Sequence, residues 1–241
     1  MALVDSTTAS GSSSSPSVAV PTGVQADDIV ILALQTDSTS SVINPGDIPT
    51  GFTELVEVDV TNDGQTNWVA WKRLTGADSG TYQIANTNNA DNWIMQAIAL
   101  RGRHTTDPPV LASATSNAGN TSPVSVNAPT VTALDGDDLV VISAPDVNTN
   151  DAGNGHTEPA NYPEQEDAEA GFNNQAIFLR QNVSAGATGT ITATFSMTSG
   201  TAGWFAAQIR VPSAGGGGGG GSARKRYGIR AGGMMGQGSI Q

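Results

Sequence analysis

The chain has 241 residues, 37% of them hydrophobic, no cysteine and a formal net charge of −12 at pH 7. The absence of cysteine excludes disulfides, and an acidic chain repels phosphates, which argues against general nucleic-acid binding. No apolar run approaches the roughly 20 residues of a membrane-spanning helix, and a composition rich in Thr, Ser, Asn and Gly predicts β structure with many turns.

The first residues, MALVDSTTASGSSSSPS, have neither the cationic start nor the apolar stretch of a secretory signal, so synthesis in a cytoplasm is expected. They read as a polar arm over 1–16. A first β unit is predicted over 17–104. Within it, Ile29-Val30-Ile31-Leu32 is an unbroken apolar run, as in a strand buried on both faces. Val56, Val58 and Val60 alternate with Glu57 and Asp59, which predicts a strand with one wet face. Trp68 and Trp71 are three apart in a strand and so face opposite sides. Trp93 falls in an apolar strand and is read as core.

Residues 105–121 read as a Pro-, Ser- and Asn-rich connection with one edge strand around Val110 and Leu111. A second unit is predicted over 122–213, because the first one recurs there. PTGVQADDIVILALQ is echoed by PTVTALDGDDLVVISA, and PTGFTELVE by EPANYPEQED. WVAWKRLTGADSGTYQIANT is echoed by QAIFLRQNVSAGATGTITATFS, and NWIMQAIALRG by GWFAAQIRVPS. Trp93 then corresponds to Trp204, and Phe52 to Tyr162. In the second unit Ile191, Ala193 and Phe195 alternate with threonines, matching Tyr82 and Ile84 in the first. The expected fold is all-β: two tandem antiparallel β-sandwiches, jelly-roll or Ig-like, from an internal duplication. A glycine tether and a terminal peptide follow over 214–241.

Chemistry-bearing constellations are sparse. The two histidines, His104 and His156, have no motif around them and read as solvated loop residues. Glu158, Glu164, Glu166, Asp167 and Glu169 cluster in sequence; a glycosidase needs two carboxylates, but such a run is ordinarily a solvated face. The stretch from Asp146 places Asp146, Asn148, Asn150 and Asp151 as a weak calcium candidate. An EF-hand loop needs Gly at its sixth position and Glu at its twelfth, where this chain has Asp151 and Thr157. A connecting loop is the reading adopted, with no metal, no cofactor and no enzymatic activity expected.

The tail is different. All 22 acidic residues precede Gly215 together with six of the ten basic ones, so the body carries −16 and the tail +4. The tail's cations are Arg224, Lys225, Arg226 and Arg230, interleaved with Tyr227 and Ile229 and followed by Met234 and Met235. Flexible methionines adapt to irregular grooves, and short extended peptides add to sheet edges. These eight residues are read as a partner-binding peptide on a tether of seven glycines spanning at most about 25 Å.

The repeated motifs also carry a resemblance. ADDIVILA, PTGFTEL, WKRLTGADSG and NWIMQAIALRG, with GDDLVVIS, PANYPEQ, FLRQNVSAGATG and GWFAAQIRVP in the second copy, resemble a duplicated module of bacteriophage virion proteins and some bacterial surface proteins. The likeness covers roughly residues 17–213 and marks turns and core positions; the second copy departs where Tyr162-Pro163-Glu164 replaces Phe52-Thr53-Glu54. It implies a virion component such as a decoration protein, head fibre or tail accessory; compact β bodies with an anchoring terminus lead to the expectation of a non-enzymatic structural role of the capsid-decoration or head-fibre type. The glycine tether and its peptide lie outside that pattern; with the tail read as a partner-binding peptide, the expectation is multiple copies on a symmetric assembly, each attached to a capsid or tail partner through the C-terminal peptide, with no membrane involved. The other reading is a tail-associated or cell-surface carbohydrate- or receptor-binding module, which exposed aromatic rings would favour.

Overall fold

A computed structural model describes residues 2–38, 43–60, 64–87, 92–147, 155–198 and 200–214. Among them there is no helix, and all strand pairings are antiparallel. The first half contains β1 (Ala2–Ser12), β2 (Ser17–Ala19), β3 (Ile29–Thr36), β4 (Thr53–Val60), β5 (Gln65–Arg73), β6 (Thr81–Gln83) and β7 (Asn92–Arg101). The second begins with β8 (Val110–Asn120), β9 (Val124–Ala128), β10 (Thr132–Ala133), β11 (Asp137–Val147) and β12 (Gly155–Thr157). It ends with β13 (Glu164–Ala170), β14 (Asn173–Val183), β15 (Gly186–Ala187), β16 (Ile191–Ser196) and β17 (Ala202–Val211).

Five strands of the first half form one sheet in the order β1-β7-β3-β5-β4, and five of the second form another in the order β8-β17-β11-β14-β13. These are the same order once strands are matched by position in each half. A small sheet lies over one face of each: β2-β6 on the first, β9-β16-β12 on the second. Between large and small sheet sits a core containing Leu32, Trp68, Tyr82, Ile84 and Trp93 in the first half. Its counterpart holds Val141, Tyr162, Phe178, Phe195 and Trp204. The alternation read for Tyr82/Ile84 and Ala193/Phe195 is what turns these side chains inward. Trp68 is buried in the first-half core while Trp71 points to the opposite face, as their spacing requires.

The two units are not separate sandwiches on a linker. The remaining faces of the large sheets pack on each other, burying Ile29, Ile31, Ile98 and Leu100 against Val140, Ile142, Phe205 and Ile209. The body is therefore a stack of small sheet, large sheet, large sheet, small sheet, with three apolar layers. β1 lies over β13, and β4 over β8. The segment read as an N-terminal arm is edge strand β1, and most of the segment read as a linker is edge strand β8. Ser-, Thr- and Ala-rich runs suit such positions, where one strand edge is left unpaired and one face is only partly covered.

Packing on both faces fixes register, because a one-residue slip turns every side chain to the other face. Val30, Leu32 and Leu34 face the first-half core, and Leu139 and Val141 face the second. The structural partner of Val30 is thus Leu139, one position away from the echo ADDIV/GDDLV. Asp28 and Asp137 become the equivalent pair. Asp28 Oδ2 accepts the Gln25 amide at 2.8 Å and lies 2.9 Å from Arg101; Asp137 Oδ2 accepts the Leu134 amide at 2.7 Å and lies 2.7 Å from Arg210. The aromatic turns also match. Phe52 N donates to Pro49 O at 3.1 Å with Gly51 at φ +83°, and Tyr162 N donates to Pro159 O at 3.0 Å with Asn161 at φ +68°. Glycine and asparagine are the residues that tolerate this left-handed position.

If the middle layer joins the halves, one substitution in it must weaken both. Phe205→Ala is expected to cost about 3–5 kcal/mol, as for buried aromatic truncations generally, and calorimetry should show one transition for the whole body at a lower midpoint. Two separate transitions, one unchanged, would contradict a shared layer.

Candidate functional site

Arg224, Lys225, Arg226, Tyr227, Ile229, Arg230, Met234 and Met235 lie outside the described residues, which end at Ala214. What the structure defines is the root from which that segment leaves. Ser213 N donates to Asp137 Oδ1 at 2.9 Å, Ser213 Oγ to Asp135 O at 3.3 Å, and Ala214 N to Gly102 O at 3.3 Å. Arg103 forms a β-bridge with Ser213, and its Nη1 lies 2.9 Å from Asp138 Oδ2, both side chains being inaccessible. Burial pushes the Arg103 guanidinium down, while Asp138 and Asp137 hold it up. The last residues before the glycines are therefore clamped where the two halves meet.

Of the calcium candidates, Asp146 is buried at the end of β11, cross-strand from Asn173, while Asn148, Asn150 and Asp151 lie outside the described residues. No group of three or more His, Cys, Asp or Glu among the described residues is placed to hold a metal.

Of the two histidines read as loop residues, His104 lies in a loop and His156 does not. His104 is partly covered, and its Nδ1 accepts the Asp107 amide at 3.0 Å, stabilising the turn that follows β7. His156 is in strand β12 with an inaccessible side chain, its ring 5.0 Å from that of Phe195 and 6.1 Å from that of Phe178. Its Nδ1 lies 3.1 Å from Asp167 Oδ1. Alternation in β16 and β14 supplies the two phenylalanines, and nothing near His156 in sequence signals that pocket.

The acidic run forms edge strand β13. Glu158 accepts the Glu164 amide at 2.9 Å and so stabilises the turn before the strand. Burial is the main cause that raises the carboxyls of Glu164, Glu166 and Glu169 above their ordinary values, with Asp167 adding repulsion at Glu164 and Glu169, and Asp5 at Glu166. The run spreads along one strand edge and is not gathered in a groove.

Two clefts recur at matching places and were not found by sequence reasoning. In the first half, Lys72 sits 2.7 Å from Asp78 and about 5.8–5.9 Å from the ring centres of Phe52 and Tyr82, which meet edge-to-face at 4.9 Å. Tyr82 donates to Asp78 at 3.2 Å, and burial together with that carboxylate pushes its hydroxyl well up. The adjoining cleft, of about 500 Å3, is floored by Pro49, Thr50, Lys72 and Tyr82. In the second half, Arg180 lies 5.7 Å over the Tyr162 ring beside a cleft of about 250 Å3. Lys72 pairs with Val30, and Arg180 with Leu139, so the two cations occupy equivalent sites. The signal in sequence is a Pro-x-Gly/Asn-aromatic turn with a cation late in the second strand that follows it. Each cation lies against the aromatic of its turn, a contact of about 0.5–2 kcal/mol.

Neither a family model, nor a curated protein, nor a solved structure matches this chain.

The raised carboxyl of Glu166 gives a pH test. A carboxyl whose folded value is raised binds its proton more readily in the folded state, so its stabilising contribution is present below the unfolded value and is lost as pH rises through the folded one. Glu166→Gln is expected to raise the melting temperature at pH 7, with the gain shrinking toward zero near pH 4, read by thermal denaturation across that range. An effect independent of pH would refute the assignment.

Proposed function

We propose that this chain is a non-enzymatic structural protein of a bacteriophage virion, of the capsid-decoration or head-fibre type, attached to a virion partner through its basic C-terminal peptide. The observation that carries the reading is the clamped root: a rigid four-layer body releases its terminal segment from a fixed point between the halves, directly before seven glycines. That arrangement separates a presented body from the segment that would connect it to a partner. Multiple copies on a symmetric surface would let a modest affinity per peptide hold the layer in place. The matching sheet orders, aromatic turns and carboxylate–arginine pairs support an origin of the two halves by internal duplication.

A second reading is kept because one feature favours it. The two equivalent clefts combine aromatic rings, a cation and polar loop atoms, which suits a carbohydrate or receptor contact at a tail or cell surface.

Deleting the residues after Ala214 separates the readings. Loss of incorporation into particles, with the melting temperature of the body unchanged, is the expected outcome. Incorporation at the wild-type level would sink the anchoring role, and glycan binding abolished by Lys72→Ala, with the melting temperature unchanged, would move the assignment to the second reading.

A further inference from the structure

The two equivalent clefts differ in one respect that bears on what each can bind. In the first, a carboxylate is built in. Asp78 Oδ2 lies 2.7 Å from Lys72 Nζ and accepts the Tyr82 hydroxyl at 3.2 Å. A cation and a phenol thus share one acid, supplied by the loop between β5 and β6. The second cleft repeats the cation and the phenol without that acid. Arg180 stands where the first half has Lys72, and Tyr162 where it has Phe52, which adds a hydroxyl. The loop that lines this cleft, Ser184-Ala185-Gly186-Ala187-Thr188, has no carboxylate. Arg180 is exposed, and among the described residues no carboxylate pairs with it. Asp135 touches the loop, but its Oδ1 accepts the Ala185 amide at 2.8 Å.

A third change adds a donor. Val141 pairs with Gln208 as Leu32 pairs with Ala97, so the second half carries a carboxamide where the first has a methyl group. Gln208 Oε1 accepts the Val131 amide at 3.1 Å and the Thr188 hydroxyl at 2.7 Å, which fixes the orientation of the carboxamide. Its Nε2 is left without a hydrogen bond, as is Tyr162 Oη, although Gln208 is inaccessible and Tyr162 only 2% exposed. Buried polar groups are ordinarily paired. The Arg180 guanidinium and the Gln208 amide face Tyr162 Oη closely enough to oppose the rise that burial imposes on its hydroxyl. The three groups therefore meet at one place, beside a cleft of about 250 Å3.

We propose that this second cleft binds an acidic sugar, whose carboxylate occupies the position that Asp78 fills in the first half, with Arg180 as its cation and Tyr162 and Gln208 as further donors. The planar guanidinium fork matches the two oxygens of a carboxylate. A site of donors with no acid of its own favours an anion over a neutral sugar. The cleft has room for about one sugar ring, and Ala185, Gly186 and Ala187 keep its wall low. The inference rests on the carbohydrate reading and deepens it at one of the two clefts; it is independent of how the body is anchored.

Titration of the full chain with D-glucuronate, followed by amide NMR, tests the site. Saturable shifts are expected at Ala185, Gly186 and Thr188 and not at residues 77–80 of the first cleft. D-glucose, which lacks the carboxylate, should give none. Arg180→Gln is expected to weaken binding about tenfold or more, with the remaining spectrum unchanged as the sign of an intact fold. Ala187→Asp places an acid two residues before Gly189, as Asp78 lies two before Gly80, both glycines having positive φ; it should supply the missing carboxylate and abolish binding. No saturable shift with glucuronate, an equal response to glucose, or unaltered affinity in Arg180→Gln would overturn the assignment. A response to N-acetylaspartate and none to glucuronate would overturn it in favour of an acidic peptide. Loss of neutral-glycan binding in Lys72→Ala reports on the carbohydrate reading separately, so the two can fail independently.

Discussion

The structure depends on covering both faces of two five-stranded sheets at once. Each small sheet covers only the outer face of its large sheet, and the inner faces have only each other. All eight residues of β3 and all eleven of β11 are buried. A half standing alone would expose Ile29, Ile31, Ile98 and Leu100 together, a contiguous apolar surface of the kind soluble monomers avoid. Burying each such side chain contributes about 1.5–3 kcal/mol. The halves are therefore halves of one folding body, although each has its own second core.

Apolar burial is non-directional, so it does not by itself fix how the two sheets sit on each other. Polar contacts at the ends of the middle layer supply that. At one end the buried Arg103–Asp138 pair ties the close of β7 to the start of β11. At the other, Gln35 Nε2 donates to Pro145 O and Gln65 Nε2 to Ala144 O, both at 2.9 Å, and Asn173 Nδ2 donates to Asn92 O at 3.0 Å. Both ends are satisfied together only when β3 and β11 run in the same direction. A buried ion pair adds little net stability, yet removing one partner leaves a desolvated charge at large cost. Its effect here is to exclude other arrangements of the sheets.

Side-chain periodicity explains what was legible in the sequence and where legibility stopped. The unbroken apolar run of β3 announced burial on both faces, and the alternation in β4, β6 and β16 announced which residues face a core. What covers the second face of β3 was not legible, because a strand pattern records that a face is apolar and not what lies against it. The echo ADDIV/GDDLV misplaced the equivalence by one residue, since the second aspartate, Asp138, takes the inter-sheet position that Ile29 holds in the first half. Sequence similarity aligned the acids; packing aligned the faces. β1 and β8 were read as arm and linker because edge strands need little apolar content. His156 looked solvated because its partners Phe178, Phe195 and Asp167 come from three other strands.

The distribution of charge follows from the same packing. Lys72, Arg101, Arg103 and Arg210 each lie against a carboxylate, and Arg73 and Arg180 lie over aromatic rings. The body's six cations thus serve as internal struts, and its excess of carboxylates is left to the surface. Such a surface repels its own copies and nucleic acid alike over about a Debye length, roughly 8 Å at physiological salt. Cohesion with anything else must then come from short-range burial at an uncharged patch or from cations carried beyond the body. The basic segment that follows the glycines carries four such cations, Arg224, Lys225, Arg226 and Arg230.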